Sequence, residues 1–459
     1  MSNPGDADDT PIASVQQLAD HIAAGCKPRS AYRIGTEHEK FGFRLVDRQP
    51  PPYQPEGIRA VLEGLEAPGA WEPILEEGVP IGLKGAGANR GASVSLEPAG
   101  QLELSGGLAR TLHETEAEMV AHFDALRPVA ERLGLGFAPL GFHPTMKQGD
   151  MPWMPKGRYA IMRRYMPLVG TRGLDMMQRT CTVQVNLDYS SEADMARKLR
   201  VSLALQPVAT ALFANSPFVE GQPNGFLSNR ARVWTDVDNA RSGMPAVMFA
   251  EEFGFERYVE WLLDVPMYFL LRDGRYHAVA GQSFRRYMKG DFGNVLAGVR
   301  ATVGDFEDHM TTAFTDVRVK RFLEMRGSDA GRPEMMVAQS ALWTGLLYDD
   351  AALAAADALV RERPWADYLA LRAEVPRAAL DAPWAGGTVR ALASRMVTIA
   401  TEGLAGRTRT DPSIGDERRM LEPLLPLVNG APTQAELSLS RFAGVWAGDA
   451  SLALTEGSV

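Results

Sequence analysis

The run Thr182-Val183-Gln184-Val185-Asn186-Leu187 alternates strictly between neutral hydrogen-bonding and apolar side chains. Strand side chains alternate between two faces, so Val183, Val185 and Leu187 share one side while Thr182, Gln184 and Asn186 share the other. Burying the valines commits such a sheet to a core on one face, and its other face suits a polar ligand cavity better than bulk solvent. The pattern predicts a strand over Arg179–Leu187. Thr180 falls on its polar face, and Cys181 and Arg179 on its apolar face. Cys181 then reads as a buried structural cysteine.

Three further segments carry carboxylates on the same period. Tyr32 to Val46 reads as a strand in which Glu37 and Glu39 share a face that Phe41 and Phe43 continue. Two carboxylates beside aromatics repel each other unless a cation offsets them, and a hard divalent cation takes oxygen ligands. A solvated, charged strand face is the bland alternative, and the two phenylalanines weigh against it. In Ser95 to Ser105, Gln101, Glu103 and Ser105 share one face and Leu102 and Leu104 the other, with Glu97 just before a Pro-Ala-Gly turn. Alone this is an ordinary amphipathic hairpin. Beside the first strand it brings the set to four carboxylates, enough for two Mg²⁺ ions. In a strand over Arg318–Met325, Phe322 and Glu324 alternate onto one face with the following Arg326. Glu324 is a further metal candidate, and Arg326 can neutralise a phosphoryl group in transfer. A plain Glu–Arg pair at a sheet edge is the alternative there.

Lys156 and Arg158, and Arg230 and Arg232, form two basic segments able to grip anions. Gly85 to Gly91 lacks the spacing and the βαβ unit of a dinucleotide fingerprint, and no GxxxxGK[ST] loop occurs. A nucleotide's phosphates would therefore be held by metal and arginine.

Strand and helix signals mix without βαβ alternation, which predicts an α+β fold around a largely antiparallel sheet. Helices are expected at Ser14–Ala24, from Ile58, at Leu112–Leu133, near Tyr159–Tyr165 and from Ser191 to Phe213, with a kink at Pro207. Another strand is expected at Met267–Leu271. A catalytic domain over residues 11–340 and a helical C-terminal part over 341–459 are expected, and residues 1–10 read as disordered. The 459 residues carry a net charge of −9 and two cysteines, which argues against a nucleic-acid-coating protein and excludes a disulfide framework. No secretory signal or membrane-length apolar run is evident, so a cytoplasmic enzyme of small substrates is expected.

The blocks GTEHEKFGFRL, WEPILEEG, SLEPAGQLELSG, MPKGRYAIMRRYMP, DMMQRTCTVQVNLDYSSEADM, NGFLSNRARVWTD and FLEMRGSD, in this order, resemble the plant-type glutamate–cysteine ligases, a family that also occurs in bacteria. The resemblance runs from about Ala31 to Asp350. It implies a glutamine-synthetase-like carboxylate–amine ligase fold, in which a curved, mostly antiparallel sheet forms a funnel for Mg²⁺, ATP and amino acids. It implies ligation of the L-glutamate γ-carboxylate to the L-cysteine amine through a γ-glutamyl phosphate, the first step of glutathione biosynthesis. Glu37, Glu39, Glu97, Glu103 and Glu324 then look like the metal set, and Arg230 and Arg326 like the substrate-carboxylate and phosphate arginines. Thr182, Gln184, Asn186, Arg230, Arg232, Lys156 and Arg158 are the expected substrate contacts. Plant members carry regulatory disulfides, whereas this chain has two cysteines far apart, which speaks against that switch and the redox-linked dimer; homodimerisation stays open. A sister ligase with another amine acceptor, or a phosphotransferase on the same fold, is the alternative.

Overall fold

The computed structural model describes residues 8–66, 69–272, 274–291 and 298–458. Its centre is a nine-stranded sheet: β1 (Ile34–Arg44), β2 (Trp71–Glu76), β3 (Val79–Gly85), β4 (Ser93–Leu96), β5 (Leu102–Ser105), β6 (Leu135–Ala138), β7 (Thr182–Leu187), β8 (Val317–Val319) and β9 (Leu323–Asp329). The spatial order is β8-β9-β7-β1-β5-β4-β3-β2, and β6 pairs with the far end of β1. Every ladder in this sheet is antiparallel. The fold is α+β, as the mixed signals required.

The alternation on β7 works as read. Val183, Val185 and Leu187 lie in the largest core, with side chains of helices Glu192–Leu212 and Pro333–Leu347. Leu102 and Leu104 of β5 face a second core that includes residues of helices Ile58–Glu66 and Leu112–Leu133. Helix Leu112–Leu133 has the limits the periodicity gave, set by the capping box of Thr111 with Glu114 and by Gly134 at φ 63°. Helix Glu192–Leu212 continues through Pro207. Helix Pro333–Leu347 crosses the boundary expected at residues 340/341, and the large core holds side chains from both sides of it. Among the described residues no helix is long and apolar enough to cross a membrane.

Several expectations are corrected. Arg179 ends helix Gly173–Arg179 and the strand begins only at Thr182, because Arg179 pairs with Asp175 one turn back and donates to Met146 O. Arg318–Met325 is a hairpin, not one strand: Lys320 N donates to Phe322 O across its turn. The strand near Met267 runs Phe269–Arg272 and, among the described residues, pairs with Arg275–Ala278 outside the main sheet. Phe41 and Phe43 are buried with Cys181, Trp446 and Leu454 in a third cluster, and neither lines the cavity. Of the N-terminal stretch read as disordered, residues 1–7 lie outside the described residues. Asp8 and Thr10 accept from the amides of Gly304 and Val303 at 2.9 Å, which seats them on the start of helix Val303–Thr311.

Candidate active site

One face of the sheet floors a cavity of ≈ 820 Å³. Cross-strand register explains its acidic side. Glu39 on β1 stands opposite Glu103 on β5, which stands opposite Ser95 on β4. Glu103 accepts from Ser95 Oγ at 2.9 Å and Ser105 Oγ at 3.3 Å, and Glu39 accepts from Thr182 N at 2.9 Å. Glu97 joins them from the β4–β5 turn, where Gly100 N donates to Glu97 O at 2.9 Å. Gly100 sits at φ 86°, a conformation that favours glycine. Glu39, Glu97 and Glu103 all line the cavity. Burial first, then the charges of Glu97 and Glu103, hold the Glu39 carboxyl well above the usual carboxylate range. Burial also raises Glu37, with Glu324 and Glu103 adding to it.

The basic side is built on an irregularity. Met325 pairs with Val185 and Ser328 with Val183, so two residues of β9, Arg326 and Gly327, oppose the single Gln184. This is a β-bulge, which re-aims side chains. Arg326 Nη1 reaches Gln184 Oε1 and lies 3.1 Å from Glu324 Oε2. Arg230, from the short helix Asn229–Val233, is 3% exposed and donates from Nη2 to Arg326 O at 2.9 Å. A smaller chamber of ≈ 450 Å³ shares Arg230 and Arg326 with the main one.

The cavity thus brings together Glu39, Glu97, Glu103, Arg158, Thr182, Gln184, Arg230 and Arg326 of the expected set. Glu37 and Asn186 stand one position back: Asn186 Nδ2 donates to Glu37 at 2.8 Å and Gln184 Nε2 at 3.3 Å. Glu324 is fully buried, with both oxygens engaged by Arg318, Lys320 and Arg326. These cations hold its carboxyl well below the usual range despite burial. Glu324 thereby braces Arg326. Lys156 is buried at the edge, facing an outer groove, and burial followed by the Arg158 charge lowers it to about 7. Arg232 is turned away from the main cavity, its guanidinium 4.6 Å from the Phe226 ring centre. Among the described residues no group of three or more acidic, histidine or cysteine side chains adopts a metal-binding arrangement.

Sequence reasoning missed Asp329, which accepts from Asn215 N, Ser216 Oγ and Ser228 Oγ at 2.8, 2.6 and 2.7 Å. It thereby ties down the segment leading into Arg230. Strict alternation puts Asp329 on the Met325 face; the bulge moves it opposite Thr182. Trp234, Met162, Met177, Phe269 and Phe314 form an apolar wall; three of them fall inside the quoted blocks, but no period assigned them to the cavity.

The cysteines are far apart. Lys27 N donates to Tyr189 O at 3.2 Å, so Cys26 lies beyond the Leu187 end of β7, while Cys181 precedes its Thr182 end. The strand between them is about 16 Å long at ~3.3 Å per residue, more than twice a disulfide's Cα–Cα reach of about 7 Å. Activity is expected to be insensitive to dithiothreitol, and Cys26→Ser to be silent. Cys181→Ser, which sets a hydroxyl among Phe41 and Phe43, is expected to cost about 1–3 kcal/mol of stability. A Cys26–Cys181 bond on a non-reducing gel, with activity lost on reduction, overturns this.

The family model of glutamate-cysteine ligase family 2 matches residues 33–456. The chain belongs to this family. Among curated relatives, the glutamate–cysteine ligase of Arabidopsis thaliana is 47% identical over 94% of this chain and 80% of its own. That of Nicotiana tabacum is 46% identical over the same shares. Ligase B of Oryza sativa subsp. japonica is 46% identical over 94% of this chain and 84% of its own. All three are chloroplastic enzymes, and this overturns the cytoplasmic location expected of the ligase. Among solved structures, a glutamate–cysteine ligase from Francisella tularensis in complex with AMP covers 93% of this chain and 97% of that one, at 11% identity and a TM-score of 0.47. At that distance it assigns nothing in the site.

Proposed function

We propose that the family member described here joins the γ-carboxylate of L-glutamate to the amine of L-cysteine at the expense of ATP, through a γ-glutamyl phosphate, as the first step of glutathione synthesis. One observation carries the reading: three carboxylates, two of them buried, and three arginines line a single cavity in a chain that belongs to a ligase family.

A carboxylate is a poor electrophile and must be activated, and two anions must meet for that to happen. The arginines offset this repulsion where charge develops. Arg326, braced by Glu324 and Gln184, is placed to meet the phosphoryl group, and Arg230 the substrate carboxylate. Gln184 and Thr182 offer neutral polar groups at the floor. The apolar wall limits water access, which protects an acyl phosphate from hydrolysis.

The donor chemistry of the acidic cluster suits a hard divalent cation, although its carboxylates do not converge on one point in this arrangement. Its donors are carboxylate oxygens, and burial raises the Glu39 and Glu37 carboxyls as expected of anions gathered without a matching positive charge. Glu39, Glu97 and Glu103 would hold Mg²⁺, with Glu37 behind them. Bound there, the ion would polarise phosphate oxygens.

An assay of ADP release with glutamate and a panel of amines tests the reading. Release is expected to require both glutamate and an amine, with cysteine the best acceptor. ADP release with glutamate alone at the full rate points to a phosphotransferase, and preference for another amine to a sister ligase.

A further inference from the structure

We propose that Thr210 is a positioning residue: its hydroxyl pins the β9 bulge and so sets the direction in which Arg326 points. The inference rests on the reading above, in which Arg326 meets the phosphoryl group.

A bulge interrupts the ladder, so its peptide groups need other partners. Here side chains supply them. Arg326 O accepts from Arg230 Nη2 at 2.9 Å, and Ser328 O from Thr182 Oγ1 at 2.8 Å. Thr210 Oγ1 lies 3.0 Å from both Gly327 O and Gln206 O, so its single proton is shared between the bulge and the helix carbonyl one turn back. Arg326 N donates to Asp316 O at 3.0 Å. Thr182 and Arg230 both line the main cavity. Thr210 reaches the bulge from helix Glu192–Leu212 and lines the smaller chamber beside Arg326 and Gly327.

The helix also sets the depth of the bulge. A Cβ added to Gly327 would lie 2.6 Å from Gln206 Cγ and 2.7 Å from its Cδ and Nε2. Gln206 is 1% exposed, one turn before Thr210, and its side chain lies flat against the Gly327 backbone. The bulge is thus held from below by contact with Gln206 and by the Thr210 hydrogen bond. Rigid elements that fix a catalytic group matter steeply, since a misplacement of about 1 Å costs about 10²-fold in rate.

Steady-state kinetics on the full chain test this. Thr210→Val is expected to lower kcat about tenfold, with KM for glutamate and ATP changed less than about twofold. Thr210→Ser, which keeps the hydroxyl, is expected to recover most of the loss. Gly327→Ala is expected to lower kcat more strongly, and Gln206→Ala, by removing the atoms the new methyl meets, to restore much of it in the double variant. An unchanged kcat in Thr210→Val, a Thr210→Ser no better than Thr210→Val, or a double variant no better than Gly327→Ala each overturns the proposal. Should Thr210→Val not fold, the Gly327–Gln206 pair decides. A wild-type chain that turns over while these variants keep its kcat sinks this inference alone; a wild-type chain inactive with glutamate, ATP and every amine sinks the functional reading as well.

Discussion

Glu39→Gln is expected to reduce Mg²⁺-dependent turnover by about 10³-fold while leaving the metal-free protein folded and at least as stable as the parent. The amide keeps an oxygen to accept from Thr182 N, so β1 and β7 stay in register. What goes is one negative charge from a cluster in which Glu97 and Glu103 already oppose the ionisation of Glu39. The stability sign follows from that shift. A carboxyl raised above its unfolded value binds protons more readily in the native state. It therefore weakens the fold as pH rises through and above the unfolded value, and at neutral pH its removal relieves the fold. The parent should consequently melt higher in added Mg²⁺, with a rise that shrinks on acidification because protons compete for the same oxygens. The variant should lose most of that rise. Thermal melts across Mg²⁺ and pH, with initial rates, check it; parental activity at ordinary Mg²⁺ in the variant would falsify the metal assignment of Glu39.

Arg326→Lys is expected to lower kcat about 10²–10³-fold, with a much smaller change in KM for glutamate. The guanidinium spans two acceptors, Gln184 Oε1 and Glu324 Oε2, and still presents its remaining edge to the cavity. An ammonium is a point charge, and Glu324 would draw it back beside Arg318 and Lys320. A loss seen in KM alone would move Arg326 from the developing charge to ground-state binding. Arg318→Met is a different kind of lesion: it strips a fully buried carboxylate of a fully buried partner and is felt first as instability.

The parts legible in the sequence were those governed by a local period. Alternation on β7 and β5 named both their buried and their cavity-facing residues, and the Thr111–Glu114 box with Gly134 bounded a helix at both ends. The family resemblance extended this to the reaction and to Glu39, Glu97 and Glu103. What stayed hidden depended on breaks in period or on distant chain. Two residues opposite Gln184 shift everything beyond Met325, so Asp329 could not be placed by counting. The packing of Phe41 and Phe43 could not be foreseen because Trp446 and Leu454, which share their cluster, lie some four hundred residues downstream. The partnership of Glu324 with Arg318 stayed hidden because the hairpin turn between them reads as one continuous strand.

That third cluster has a practical side for anyone preparing the protein. Trp446, Ala450, Ala453 and Leu454 share one buried cluster with Phe41 and Phe43 of the strand that carries Glu37 and Glu39. Trimming these last helical turns to tidy an expression clone, or fusing a bulky partner hard against them, would strip the backing from β1. The fault would surface as poor yield or a weak enzyme, and a survey of cavity residues alone would never trace it to the tail.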